Sequence, residues 1–399
     1  MDIIARRYDT LELVCIRVED GQIRSIQPQA TVPDTAEAPW VAPGLVDIQV
    51  NGCCGRDFLE PGLSVGGVAE IGRAVAQQGV TGYCPTITTH SFARLAHAAR
   101  TIARACEEDR TVAVQVVGIH REGPYISGED GPRGAHPREH VRPPDWEEFQ
   151  RLQEAAGGRI RILTLSPEYA SAADFAARVA KTNVIVAIGH TGADSAQIRA
   201  AVDAGAKLST HLGNGAHGQI RRHPNYLWDQ LAEDRLTASL IVDGHHLPPT
   251  VVKVFVRAKS LERCLLISDL TGLAGRPPGR YEASSLGAVE VLEDGRLVVA
   301  GQRQLLAGAA LPLTVGITNL MRFTGASLQT AVDLASLRPA AFVGVPARGL
   351  KVGAPADLVL FHLSGGVDSV GQLEVLATCL AGQILPRDAV LLPSRRHLS

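Results

Sequence analysis

Asp269 closes the apolar run that begins at Arg263, and Glu122, His190 and His211 each close another such run. Carboxylate and imidazole groups hold divalent metals and carry protons, so their recurrence at the ends of apolar runs points to hydrolytic chemistry. A catalytic zinc-type site uses three nitrogen or oxygen ligands from the protein and leaves a position for water. Glu122, His190 and His211 supply that set for one divalent ion per chain. Water in such a site becomes acidic enough to attack a carbonyl near neutral pH. Its proton must still reach the leaving nitrogen, and Asp269 is the candidate to act first as general base and then as general acid. Simpler uses stay open: Glu122 could pair with Arg121 or Arg133, and Asp269 could be the N-cap of the next segment.

The ligand types accept zinc, iron, cobalt or manganese, with zinc the expected ion. A second metal would need further ligands. On the first apolar run Asp47, Gln49 and Asn51 share one face, because strand side chains alternate with period two. Amides are weak zinc ligands, so the first strand offers no His-x-His pair. None of the five lysines lies on the fourth run, where a modified bridging lysine would be expected. One metal is favoured over two.

Eight apolar, β-branched runs must position these groups: Leu45–Asn51, Tyr83–Ile87, Val112–Glu122, Ile160–Glu168, Val184–His190, Leu208–Leu212, Thr237–Asp243 and Cys264–Asp269. Continuous hydrophobicity is the mark of a strand buried on both faces, as in a parallel sheet. Ala-rich, helix-compatible stretches such as Phe92–Cys106, Ala173–Lys181 and Ser195–Ala204 separate most of them. The alternation predicts an α/β fold, a (β/α)8 barrel with its active site at the C-terminal rim of the strands. Gly/Pro-rich stretches at Gly128–Pro144 and Gly272–Gly279 follow the third and eighth runs, where long active-site loops belong. Alternating patterns near both ends of the chain, a hairpin with an Asp20-Gly21 turn and later runs at Gly353–Phe361 and Ala389–Leu392, predict a small β-sandwich. The expected division is 1–42 plus 344–399 for the sandwich and 43–343 for the barrel.

The 399 residues suit a barrel of ~250 residues with an appended module. With 45% hydrophobic and 20% charged residues the composition is globular. A net charge of -2, from 39 Lys+Arg against 41 Asp+Glu, gives no polybasic attraction to nucleic acid or membrane. A small-molecule partner is expected. Seven scattered cysteines without C-x-x-C spacing argue against a disulfide framework or a thiolate zinc site and fit a reducing cytoplasm. The opening residues lack a signal-peptide core, and no apolar run approaches the ~20 residues of a membrane span.

The segments Pro43–Gly52, His120-Arg-Glu-Gly-Pro-Tyr125, Gly189-His-Thr191, Thr210-His-Leu-Gly-Asn214, Asp243-Gly-His-His246 and Ser268-Asp269 resemble, in order, the motifs of the N-acetylglucosamine-6-phosphate deacetylase family of the amidohydrolase superfamily. Leu305-Leu-Ala-Gly308 and Gly349–Asp357 extend the match over nearly the whole chain. The resemblance implies a barrel with a flanking β-sandwich, a homodimer, and hydrolysis of the acetamide of an amino-sugar phosphate. It implies that Glu122, His190 and His211 bind metal, that Asp269 is the acid/base and that His246 polarises the amide carbonyl. His136, Asn214 with the Gly215 amide, and Arg222 match phosphate-handling positions, Arg222 across a dimer interface. Gln49 and Asn51 resemble the first strand of the one-metal branch.

Two departures concern the substrate. The family's N-A-M is Asn214-Gly-Ala216, and its L-A-G-S-S-L lid is Leu306-Ala-Gly-Ala-Ala-Leu311, two hydroxyls fewer. The block Arg221–Trp228 is also rich in basic and aromatic groups. Two other readings remain: an amidohydrolase of the same mechanism with another N-acyl or cyclic amide substrate, and a non-catalytic ligand-binding relative.

Overall fold

Strands buried on both faces can persist only inside a covered sheet, and this chain closes such a sheet on itself. The computed structural model describes residues 1–30, 38–283, 287–345, 348–367 and 369–385. Its eight-stranded parallel sheet runs in chain order through β1 (Leu45–Val50), β2 (Val80–Ile87), β3 (Ile119–Glu122), β4 (Ile160–Leu165), β5 (Ile185–Ile188), β6 (Ala206–Ser209), β7 (Thr237–Leu240) and β8 (Cys264–Leu266). A parallel bridge between Val50 and Leu270, with the Asn51 N–H on the Leu270 carbonyl at 2.7 Å, joins the chain just past β8 to β1. All eight apolar runs therefore overlap barrel strands.

The interior is packed below its rim. Val46, Ile48, Cys84, Ile162, Ala187, Leu208 and Leu265, from β1, β2, β4, β5, β6 and β8, form one buried cluster with Ala340 and Val343. A second, larger cluster fills the space between the strands and the helices outside them. The helices follow the strands as predicted, with Phe92–Glu108, Ala172–Ala180 and Ser195–Asp203 matching the Ala-rich stretches. Ser195–Asp203 begins with a capping box: Asp194 accepts from the Ala196 and Gln197 amides, and the Gln197 side chain accepts from the Asp194 N–H. It buries Ile198, Ala201 and Val202.

The third run is shorter as a strand than its hydrophobicity predicts. Arg110–Gln115 is helical, started by Asp109, whose side chain accepts from the Thr111 and Val112 amides. A local cap here outweighs the β-preference of valine, and β3 keeps only Ile119–Glu122.

Both ends of the chain meet in one seven-stranded sheet, in the order 383–385, 373–380, 358–363, 40–43, 2–7, 13–19 and 22–28. The Asp20-Gly21 turn lies where expected, with positive φ at both residues and Glu19 paired to Gln22. The Ala389–Leu392 run lies outside the described residues. A further four-stranded antiparallel sheet, 279–283, 287–291, 297–299 and 302–306, is inserted after β8. The sequence indicated only a loop and a lid motif in this region.

Candidate active site

The residues that end β3, β5, β6 and β8 meet at one rim. Glu122 is the last residue of β3 and is 2% exposed. His190, His211 and Asp269 lie two or three residues beyond their strands, all buried. These three have φ of 50°, 31° and 55°. Left-handed backbone costs a non-glycine residue on the order of 1–3 kcal/mol and persists where its surroundings enforce it. Here it turns each side chain back over the barrel mouth.

Glu122 is the hub. Its Oε1 lies 2.7 Å from His211 Nε2 and 3.3 Å from His190 Nε2, and it accepts from Gln49 Nε2 at 3.0 Å. Burial opposes its charge, but the two imidazoles outweigh burial and hold the carboxyl well below the usual range. Burial likewise opposes charge on His211, and Glu122 reverses the balance, raising that imidazole.

The structure brings His136 into this cluster, on the wall of the same cavity. Its Nε2 is 3.2 Å from His190 Nε2, and its Nδ1 is 2.8 Å from Thr89 Oγ1. One ligand atom each from Glu122, His136 and His190 falls within 4.8 Å of the others. His190 Nδ1 donates to the Pro132 carbonyl at 2.8 Å, which leaves a bare lone pair on Nε2 in the neutral ring. That nitrogen faces His136 Nε2 and the Glu122 carboxylate. Burial pushes His136 down to about 3, so that ring is neutral. Electron-rich atoms turned on one another, with the far nitrogen of His190 bonded to a backbone carbonyl, are the donor set of a divalent cation. The residues present fit such an ion.

Asp269 stands beside this cluster. Its Oδ1 accepts from Asn51 Nδ2 at 2.8 Å and from Gln49 Nε2 at 3.1 Å. Gln49 thus bonds Glu122 and Asp269 at once. Burial and the nearby Glu122 charge raise the Asp269 carboxyl. Beneath it, Asp47 accepts the Ser268 and Gln49 amides at 3.2 Å and is pushed up to about 7 by burial. The first run therefore holds the Asp269 carboxyl through its side-chain amides, on the face its alternation defined.

His246 is fixed from behind. Asp243 accepts from His246 Nδ1 at 2.8 Å and from the His245 and His246 amides at 2.8 and 2.9 Å. Burial works against the Asp243 charge, and the His246 bond holds its carboxyl below the usual range. The partner role of Asp243 was legible only as part of the Asp243–His246 motif.

A cavity of about 520 Å³ opens over these groups. Asn214 and Gly215 line it, and Asn214 is held by its own Nδ2 on the His211 carbonyl at 3.2 Å. Gly215 has φ +57°, and a Cβ there would come within 2.6 Å of His190 Nδ1. Arg222 is exposed and does not line the cavity of its own chain. The cavity wall also includes Asp57, His217, His245 and Arg296, which sequence reasoning missed. His217 ties two loops across the mouth, with Nε2 3.0 Å from Glu129 and Nδ1 3.1 Å from the Tyr226 hydroxyl. Arg296 comes from the inserted four-stranded sheet and is paired to Asp294 at 2.7 Å.

Comparison with known proteins points the same way. The amidohydrolase family profile matches residues 40–385. The chain is 32% identical to N-acetylglucosamine-6-phosphate deacetylase of Bos taurus over 86% of its own length and 83% of that protein. It is also 32% identical to N-acetylgalactosamine-6-phosphate deacetylase of Escherichia coli O157:H7, over 86% and 89%. Among solved structures, a mutant N-acetyl-D-glucosamine-6-phosphate deacetylase of Mycobacterium smegmatis, in complex with N-acetyl-D-glucosamine-6-phosphate, superposes with a TM-score of 0.83 at 27% identity, covering 96% of this chain and 99% of that one.

Proposed function

This chain belongs to the amidohydrolase family, with the N-acetylglucosamine-6-phosphate deacetylases, and we propose that it hydrolyses N-acetylglucosamine 6-phosphate to glucosamine 6-phosphate and acetate. It is a metal-dependent hydrolase of carbon–nitrogen bonds. The observation that carries the reading is the pairing of Glu122 and Asp269 through Gln49, which sets a proton-carrying carboxyl beside a buried metal-ligand cluster.

Glu122, His190 and His211 would hold one divalent ion, zinc by their nitrogen and oxygen donors, with His136 as a further ligand against His190. Such an ion lends Lewis acidity to the attacking water and the amide carbonyl. Asp269 takes the water proton on the oxygen not engaged by Asn51 and Gln49. It then passes that proton to the amide nitrogen as the carbon–nitrogen bond breaks. His246, its Nδ1–H committed to Asp243, presents Nε2 to the cavity and polarises the acetyl carbonyl when Nε2 also carries a proton to donate. The phosphate falls to Asn214, the Gly215 amide and Arg222. Because Arg222 lies outside its own cavity, we assign it to the site of a partner copy in a homodimer. A charged sugar phosphate and scattered thiols support the cytoplasm as the proposed setting for this chemistry. Among the described residues no helix is long and apolar enough to cross a membrane.

A second reading is the C4 epimer, N-acetylgalactosamine 6-phosphate, favoured by the equal identity to relatives of both kinds. Acetate release measured on both sugar phosphates and on unphosphorylated N-acetylglucosamine tests the assignment. Preference for the glucosamine phosphate supports it; equal turnover with and without the phosphate overturns it.

A further inference from the structure

Immediately after Asn51 the chain makes a tight hairpin, Gly52–Cys53 against Arg56–Asp57, with Cys54 and Gly55 at its tip. Cys54 has φ 52° and Gly55 φ 92°. This turn sets two adjacent thiols on one side, with Cys53 Sγ 3.3 Å from Cys54 Sγ. Gln78 Nε2 steadies the buried Cys53 sulfur at 3.4 Å, while Cys54 is only half-buried. The Arg276 guanidinium lies over the tip, where a Cβ on Gly55 would run into its Nη2. The donated Cys53 thiol draws the Cys54 thiol down to about 7, against burial and with help from Arg276. Thiolate is the reactive form, and an adjacent cation favours it.

The hairpin is stitched to the acid/base. The Asn51 and Gly52 amides both donate to the Leu270 carbonyl, at 2.7 and 3.2 Å, and the Gly55 amide donates to Gly272 at 2.6 Å. On one side of the turn Asn51 holds Asp269, and on the other Asp57 lines the cavity.

We propose that Cys53 and Cys54 form a thiol–disulfide switch on the active-site rim, closed by a hydroperoxide and reopened by a dithiol, whose closed form lowers turnover. The deprotonated Cys54 sulfur attacks one oxygen of hydrogen peroxide. The S–O bond forms, the O–O bond breaks, and hydroxide leaves to become water. The Cys53 sulfur then attacks the resulting sulfenic acid. The S–S bond forms, the S–O bond breaks, and the departing hydroxide takes the Cys53 proton. Two thiols have given up two electrons and two protons, and one peroxide has become two waters. Closing the sulfurs to about 2.05 Å turns the peptide between them. That turn sits two residues from the side chain that orients Asp269.

The test uses the metal-loaded full chain treated with hydrogen peroxide. Peptide mapping should find the Cys53–Cys54 peptide two hydrogens lighter and closed to alkylation. Turnover should fall by roughly tenfold to a hundredfold, the loss expected when a catalytic group is misplaced by about 1 Å or less. Dithiothreitol should restore both. Cys54→Ser should keep its basal turnover and resist peroxide; should it fail to fold, mapping and dithiothreitol recovery of the unmodified chain decide. Continued alkylation of both thiols, a bridge with unchanged turnover, or equal peroxide loss in Cys54→Ser overturns the switch. The mapping does not depend on the substrate, so failure of the deacetylase reading would be seen separately, as no acetate release before oxidation.

Discussion

Asn51 donates a 2.8 Å hydrogen bond from Nδ2 to Oδ1 of Asp269, across the seam that closes the barrel. It joins the residue just past the first strand to one just past the last. The bond occupies one carboxylate oxygen and leaves the other to handle a proton. The geometry of the proposed acid/base and the closure of the barrel therefore rest on neighbouring contacts.

Replacing Asp269 by Asn separates proton transfer from folding. The amide retains the shape, and the ligand cluster around Glu122 is untouched. Turnover should fall by at least ~100-fold, the lower range for loss of a general acid/base, while metal content stays near that of the parent. Near-parental turnover would assign the proton to another group.

Asn51→Ala should shift the pH profile. A base works only when ionised, so kcat/KM falls as pH drops through the Asp269 pKa, which burial and the Glu122 charge raise above the ordinary carboxylate range. Asn51 stabilises the ionised form, and its removal raises that pKa further. The acidic limb should move to higher pH in the variant. A limb that stays put, or moves to lower pH, would show that Asn51 does not bond the reacting carboxylate.

His136 distinguishes a ligand role from a phosphate role. At 3.2 Å from His190 Nε2 it sits with the metal donors, so His136→Ala should lower metal affinity, by roughly 10–100-fold if it supports the site only indirectly. His190→Ala and His211→Ala should lose most of the metal, against about one ion per chain in the parent. Unchanged metal affinity in His136→Ala, with a raised KM confined to phosphorylated substrate, would return His136 to the phosphate.

Asp243→Asn tests how His246 is held. The substitution keeps an acceptor but removes the charge that fixes the imidazole proton on Nδ1 at 2.8 Å. Hydrogen bonds to charged groups contribute ~1.5–3 kcal/mol, and each ~1.4 kcal/mol is tenfold in rate. A roughly tenfold or greater loss in kcat, with metal content preserved, is expected. Parental kcat would mean that His246 needs no orientation by Asp243.

Arg222→Ala should lower kcat/KM for the phosphorylated sugar by roughly tenfold or more and leave the unphosphorylated sugar almost unaffected. Since Arg222 is exposed and away from its own cavity, the effect requires a partner copy. Mixed dimers of Arg222→Ala with an Asp269→Asn chain should recover part of the activity if the arginine acts across the interface. Equal losses on both sugars, or a parent that is monomeric by sedimentation, would remove this role.

Glu122, His190, His211 and Asp269 were legible from sequence because each ends a stretch of continuous hydrophobicity. A strand buried on both faces keeps one residue pattern along its length, and the parallel barrel gathers all such ends at one rim. The first-run alternation likewise put Gln49 and Asn51 on one face, since strand periodicity is a local property. Tertiary structure alone decided what the loops do. His136 lies in an irregular segment with no period to read, and Thr89 and His190, distant in sequence, fix its ring. Asp243 became the support of His246 only through the turn that folds one onto the other. The inserted sheet that carries Arg296 to the cavity, and the exposure of Arg222, depend on contacts between segments far apart in the chain. Local pattern determined the strands and their ends; loop closure, set by non-local packing, determined how those ends are completed into a site.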